Sequence, residues 1–204
     1  VVSAVLVMLA QTVVAETEWR LDKEDEKRGI KVLTRSVEGT SLREFKGTMS
    51  IKSSLTAFIA LMADGKRAPE WMHNCESFEF LKHVVPGVSY SYVVTGAPWP
   101  VKDRDAYVLS QVSQQEDMTI NVKLEAMPGY GEETKKFVRI PYMAGSWKFA
   151  PAGDGLVDVT YQVHADPGGS LPNWLSNMVV LDTPYNTLKN MQKLVSEPQY
   201  QSAT

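Results

Sequence analysis

One cysteine, Cys75, stands in 204 residues. It has no partner for an internal disulfide, so stability has to come from the core, which a chain of this length can build. Set between Asn74 and Glu76 in a stretch with helical spacing, it reads as a small buried hydrophobe. Histidine is scarce as well. His73, His83 and His164 are spread along the chain, whereas zinc needs three or four convergent ligands, so no metal is expected. Basic charge is not in excess: 21 Lys and Arg against 24 Asp and Glu leave a formal net charge of -3. That excludes the clustered positive surface a nucleic-acid partner requires. A Gly-rich phosphate loop, a nucleophile elbow and a zinc-protease helix are missing too, and no cofactor is expected. The chain also has no internal repeat, low-complexity tract or linker to a second domain.

Long apolar runs are absent except at the start. Val1–Ala15 is uncharged and rich in Val, Leu and Ala, ending in Val13-Val14-Ala15 before Glu16. It falls short of the roughly twenty residues needed to span a bilayer and resembles the apolar core of a secretory leader with a small-residue cleavage site. The basic segment that precedes such a core is not seen, so the sequence is expected to begin within a longer precursor. The expectation is an exported protein, periplasmic or secreted. Its parts are a leader remnant at 1–15, one domain over 16–197 and a C-terminal tail at 198–204. No cysteine follows the apolar core, so a lipoprotein anchor is not indicated.

Strand and helix signals fill the remainder. Glu16–Gly29 is charged and reads as a short helix or turn, and Ile30–Val37 as a first strand. Leu42–Ile51 alternates, with Phe45, Gly47, Met49 and Ile51 on one face. Ser53 or Ser54 caps a helix carrying Leu55, Phe58, Ile59 and Met62, which Asp64-Gly65 stops. A second helix is predicted over Pro69–His83, ended by Pro86-Gly87. Strands follow at Val88–Thr95, Asp105–Gln115, Met118–Met127, Lys136–Met143, Ser146–Ala150 and Val157–His164. Leu171–Val195 closes the chain as a long amphipathic helix, with a kink expected at Pro184 because its ring removes a hydrogen bond to the Val180 carbonyl. This order predicts an α+β fold in which a strongly curved antiparallel sheet wraps round the long C-terminal helix. Two shorter helices follow the first strands.

A sheet bent round one helix leaves its inner surface incompletely filled. Tyr90, Tyr92, Tyr107, Leu109, Ile120, Trp147, Phe149, Val159 and Tyr161 are the candidate lining of that space. Each has a plain core reading beside it. Aromatic rings and the nine methionines suit apolar ligands of varied shape, and tyrosine hydroxyls can orient a polar head.

Three segments carry a family resemblance: Trp99-Pro100 with Arg104-Asp105; Trp147-Lys148-Phe149-Ala150-Pro151; and Tyr161 through Asp166-Pro167-Gly168-Gly169-Ser170-Leu171-Pro172-Asn173-Trp174-Leu175-Ser176-Asn177. With Gly29-Ile30-Lys31-Val32 and Phe45-Lys46-Gly47, they resemble the steroidogenic-acute-regulatory-protein-related lipid-transfer (START) domain over roughly Trp19–Val195. The resemblance implies a helix-grip fold whose hydrophobic tunnel holds one lipid or sterol-like molecule beneath the C-terminal helix as lid. It also implies, for most members, no catalysis. Trp99, Arg104, Asp105, Leu171, Trp174, Leu175, Met178, Leu181 and Tyr185 are then the candidates for the pocket mouth and lid. Leu171-Pro172, Trp174 and Leu175 are the part expected to touch a membrane transiently.

Arg104-Asp105 reads first as an ion pair fixing the strand entry, with a role at the mouth as the second reading. Some sterol-type members place another buried arginine a few residues downstream, where this chain has Leu109-Ser110-Gln111. The superfamily also contains cyclases, so the alternative is a cyclase- or hydrolase-like enzyme on the same fold, with Arg104, Asp105 and Tyr161 as its candidate polar residues. A ligand-sensing adaptor is a third reading, for which the sequence carries no direct signal.

Overall fold

The last strand of the chain sits at the centre of the sheet. In the computed structural model, which describes residues 18–169 and 173–203, β10 (Leu156–Asp166) inserts between β3 (Arg43–Lys52) and β9 (Tyr142–Pro151). It thereby joins the N-terminal strands β1 (Arg20–Asp25) and β2 (Ile30–Ser36) to a second set. That set is β4 (Cys75–Val85), β5 (Val88–Thr95), β6 (Arg104–Gln114) and β7 (Ile120–Ala126). The ten-stranded order is β1-β2-β3-β10-β9-β7-β6-β5-β4. The two-residue β8 (Val138–Arg139) lies parallel on the start of β6, and the other pairings are antiparallel.

Between β3 and β4 come α1 (Leu55–Ala63), a 3-10 turn at Gly65–Arg67 and α2 (Ala68–Trp71). The chain ends in α3 (Asn173–Val195) and α4 (Pro198–Gln201). The Ser54 side chain accepts the Ala57 amide at 3.1 Å, satisfying one of the donors that a helix start leaves open. This is the expected α+β helix-grip architecture.

Residue pairing defines two faces of the sheet. Met49, Val159, Phe149 and Ile120 lie side by side across β3, β10, β9 and β7, and Gly47, Tyr161, Trp147 and Val122 form the next row. α3 lies over this inner face. A Cβ on Gly47 would sit 2.8 Å from Leu188 Cδ1 and 3.0 Å from Pro184 Cβ, so the close approach of helix to sheet depends on glycine there. α3 stays one element across Pro184, which is seated against that glycine. Phe58 and Leu61 of α1, with Leu188, Met191 and Val195 of α3, fill the space above Phe149 and Val159, all essentially fully buried. Each such side chain contributes about 1.5–3 kcal/mol relative to exposure. At the chain's end, Tyr200 of α4 is buried and its hydroxyl donates to Asp64 at 3.0 Å, while Arg67 bridges Glu70 and Glu197.

Three sequence expectations are corrected. Residues 20–25, read as helix or turn, form edge strand β1. Its charges are accommodated by pairing across the edge, Lys31 with Glu24 and Arg43 with Asp22. The helix predicted over Pro69–His83 survives only as α2. Met72 leaves the helix in an extended conformation, Asn74 takes a left-handed φ of 55° in the turn that follows, and Cys75–Val85 continues as edge strand β4, so Cys75 opens a strand. The spacing there fits both periods, and the pairing of β4 with β5 decides for the strand. The strands expected at Lys136–Met143 and Ser146–Ala150 are instead the short β8 and one continuous β9.

Candidate functional site

The inner face divides into two halves of different character. At the α1 end, Phe149, Val159 and Ile120 belong to the filled core, with the Phe58 and Phe149 ring centroids 4.9 Å apart. Trp147 is buried, stacked on Tyr161 at 4.0 Å and met edge-on by Trp71 at 5.9 Å. Beyond Trp147, towards β5 and β6, the floor is paved with small side chains: Gly145 on β9, Ala126 on β7, Ala106 and Ser110 on β6, and Ser91 on β5. Here Tyr161, Leu124, Met143 and Ser110 are only half-buried, although each faces the helix side from within the sheet. Val93, Ala106, Val108 and Cys75 form a second buried cluster, with Met72, Phe78, Leu124, Ile140 and Met143 packed against them. The Tyr161 hydroxyl has no hydrogen-bond partner among the described residues, and burial pushes its pKa well above the usual tyrosine value. The buried Trp71 indole N–H is also without a partner.

Four of the nine predicted lining residues are on the wrong face. Tyr92 pairs with Tyr107 and Tyr90 with Leu109, and both pairs lie on the side of Asp105, opposite Ala106 and Val108. Strand geometry sends alternate residues to opposite faces, so these four point away from α3. They form an outer cluster instead. Tyr130 stacks on Tyr90 at 4.4 Å, Tyr92 lies 4.9 Å from Tyr107, and the Tyr92 hydroxyl donates to Asp105 at 2.9 Å. Burial and that bond push the Tyr92 pKa up to about 12.

The centre of the outer cluster is Arg139, which pairs with Asp105 at 2.9 Å and donates to the carbonyls of Pro128, Gly131 and Glu132. This arginine ties the 127–137 connection over the tyrosines. Neither Arg139 nor Tyr130 was expected from sequence, since only the register of β8 on β6 brings Arg139 to Asp105 and only the folded connection sets Tyr130 on Tyr90 and Tyr107.

Arg104 and Asp105 therefore do not pair with each other, because adjacent strand residues face opposite ways. Both are buried, at 7% and 1% exposure. Arg104 faces inward and donates to the carbonyls of Lys102, Pro167 and Gly168, and its burial pulls the pKa below the usual guanidinium value.

Of the other mouth and lid candidates, Trp99 is 92% exposed on the β5–β6 connection. Leu181 is half-buried on α3. Tyr185 turns towards β1, donating to Asp25 at 2.8 Å with Lys23 over its ring at 4.0 Å. Leu171 lies outside the described residues, as do the side chains of Trp174, Leu175 and Met178 and the leader candidate at 1–15. A surface recess of about 650 Å³, lined by residues of α1, the 3-10 turn and β4 such as Ala60, Lys66, Phe78 and Phe80, contains none of the candidates.

The frame is a curved sheet gripping a C-terminal helix, with large packed side chains at one end of the inner face and small ones at the other. Residues 2–200 match the START domain model, and the chain belongs to that family. It is 40% identical to the crystal structure of a STAR-related lipid transfer protein from Xanthomonas axonopodis, with a TM-score of 0.80 over 88% of this chain and 99% of that one. It is 36% identical, over 94% of its length and 93% of the relative's, to an uncharacterized protein of Pseudomonas aeruginosa. Human StAR-related lipid transfer protein 5, at 20% identity, shares the fold with a TM-score of 0.77 over 87% of this chain and 86% of that one.

Proposed function

We propose that this protein binds one lipid or sterol-like apolar molecule between the inner face of the sheet and α3, without catalysis, and that α3 gates its exchange. The observation that carries this reading is the unequal filling of the inner face: solid side-chain packing around Phe149, small and half-buried residues around Ala106 and Tyr161. Burial of a methylene contributes about 0.8 kcal/mol, so a chain of about sixteen carbons gains on the order of 10 kcal/mol before binding costs. No specific polar contact is required for that gain. The STAR-related lipid transfer proteins among the similar structures support the same reading.

Transfer between membranes, transient membrane contact near the start of α3 and export to the periplasm or medium belong to this proposal. Fractionation of the source cells tests the last of these. The enzyme alternative is not favoured: Arg104 and Tyr161 lie on the inner face and Asp105 on the outer one, so the three polar candidates do not converge.

Native mass spectrometry and solvent extraction of the protein purified from its own host test the proposal. The expected result is one apolar molecule per chain. A protein that stays empty against a broad panel of fatty acids, phospholipids and sterols overturns it.

A further inference from the structure

The open half of the inner face is furnished with hydrogen-bond donors and one positive charge. Along β5, β6, β7, β9 and β10, the inner-face positions hold no acidic residue and a single ionised one, Arg104. Its acidic neighbours are engaged elsewhere. Asp105 is turned to Arg139, Asp103 accepts the Ala97 amide at 2.9 Å, and Asp166 accepts the Gly168 amide at 2.8 Å. A guanidinium carries five N–H groups, and among the described residues Arg104 has three acceptors, all neutral carbonyls. Two of these contacts, to Pro167 and Gly168, are long at 3.4 and 3.5 Å. Asp103 acts on Arg104 electrostatically but has its carboxylate on the Ala97 amide, and among the described residues no carboxylate is in hydrogen-bond contact with the guanidinium; a buried cation set this way is costly and suits an anion from outside the chain. Next to it on the same face come Ala106 and Val108, and further along stand Tyr161 and Trp71, whose hydroxyl and indole N–H have no hydrogen-bond partner among the described residues.

Resting on the binding reading above, we propose that Arg104 anchors the anionic oxygens of the bound molecule. The ligand is then an amphiphile with a carboxylate or phosphate head. Its head lies at the entry of β6 beneath the Pro167–Gly168 turn, and its chain runs over Ala106 and Val108 towards Trp147. Guanidinium suits both heads because its paired N–H groups match two oxygens at once.

The test compares probes with the same tail and different heads on the full chain, read by intrinsic tryptophan fluorescence. The pairs are palmitate against hexadecanol, and dioleoyl phosphatidate against dioleoylglycerol. The anionic member of at least one pair is expected to bind about ten- to a hundredfold more tightly, and the favoured pair tells carboxylate from phosphate.

Arg104→Gln, which still donates to the turn carbonyls, abolishes the preference; Arg104→Lys retains most of it. Thr95→Asp supplies a carboxylate directly across β5 from Arg104 and abolishes the preference without removing the arginine, which decides the matter if Arg104→Gln fails to fold. Equal binding of charged and neutral probes by the wild type, or a preference that survives both Arg104→Gln and Thr95→Asp, overturns the anchor and leaves the apolar container standing. Failure to bind any of the four probes overturns the anchor, and failure against sterols as well overturns the container.

Discussion

Asp105 and Arg139 close a buried ion pair, 2.9 Å apart, on the face of the sheet turned away from α3. Asp105 also accepts the Tyr92 hydroxyl, and Arg139 lies over the Tyr107 ring at 4.7 Å. The pair is the clasp that holds the 127–137 connection, with its Tyr130, against Tyr90, Tyr92 and Tyr107. Asp105→Ala leaves the Arg139 charge buried and unmatched, and is expected to cost about 3–5 kcal/mol in urea unfolding. Asp105→Asn is expected to lower stability by a smaller amount and to leave binding of a neutral lipid probe unchanged, because the clasp does not line the inner space. Loss of binding without loss of stability would count against this assignment.

Tyr92 also sets an alkaline limit. The folded-state pKa of Tyr92 is raised to about 12 from an ordinary value of 10.0, so the folded protein holds its proton more tightly than the unfolded chain. The resulting stabilisation is complete below pH 10 and is lost as pH rises towards 12. Thermal unfolding followed over this window is expected to fall with pH, and Tyr92→Phe to flatten the slope.

Gly47 has no room for a side chain under α3. Gly47→Ala places a methyl group against Leu188 and Pro184 and is expected to destabilise by about 1–3 kcal/mol, with Gly47→Val worse. Differential scanning calorimetry of the two variants gives the order directly.

The two halves of the inner face predict opposite responses to truncation. Phe149→Ala opens a hole in solid packing and is expected to cost about 3–5 kcal/mol. Tyr161→Phe removes a hydroxyl that has no partner among the described residues, and its unfolding midpoint in urea is expected to stay within experimental error of the wild type.

Cys75 is buried, and its thiol pKa is pushed up to about 11, chiefly by burial and then by Glu76 beside it. Thiolate is the reactive form, so a disulfide-exchange reagent at pH 8 is expected to leave the folded protein unmodified and to label it promptly in denaturant. Fast labelling of the native protein would show that the β4–β5 edge opens.

Where one face of a strand met protein and the other met water, alternation was a sound guide. Val157–His164 shows this best: Val157, Val159 and Val163 are buried inward and Asp158 is exposed outward. The long helix, the capped α1 and the family motifs were legible for the same reason, each resting on contrast within one short segment. In β5 the contrast fails. Tyr90 and Tyr92 lie beneath the 127–137 connection, while Val93 on the opposite side lines the inner space. Both faces are covered, both carry apolar groups, and period two identifies two sides without saying which one is inward. Edge strands β1 and β4 were misread for a related reason, since their residues are mostly exposed and draw their conformation from pairing with a neighbour.

Local chemistry thus settled most of the element types outside the edge strands, the closing helix among them, because caps, turns and alternation act over a few positions. Only assembly settled which of two adjacent residues, Arg104 or Asp105, faces α3. Register is a property of strand pairs, and a shift of one residue would have exchanged an inward cation for an inward carboxylate. The charge presented to a ligand, and with it the class of head group the inner space can hold, follows from that register.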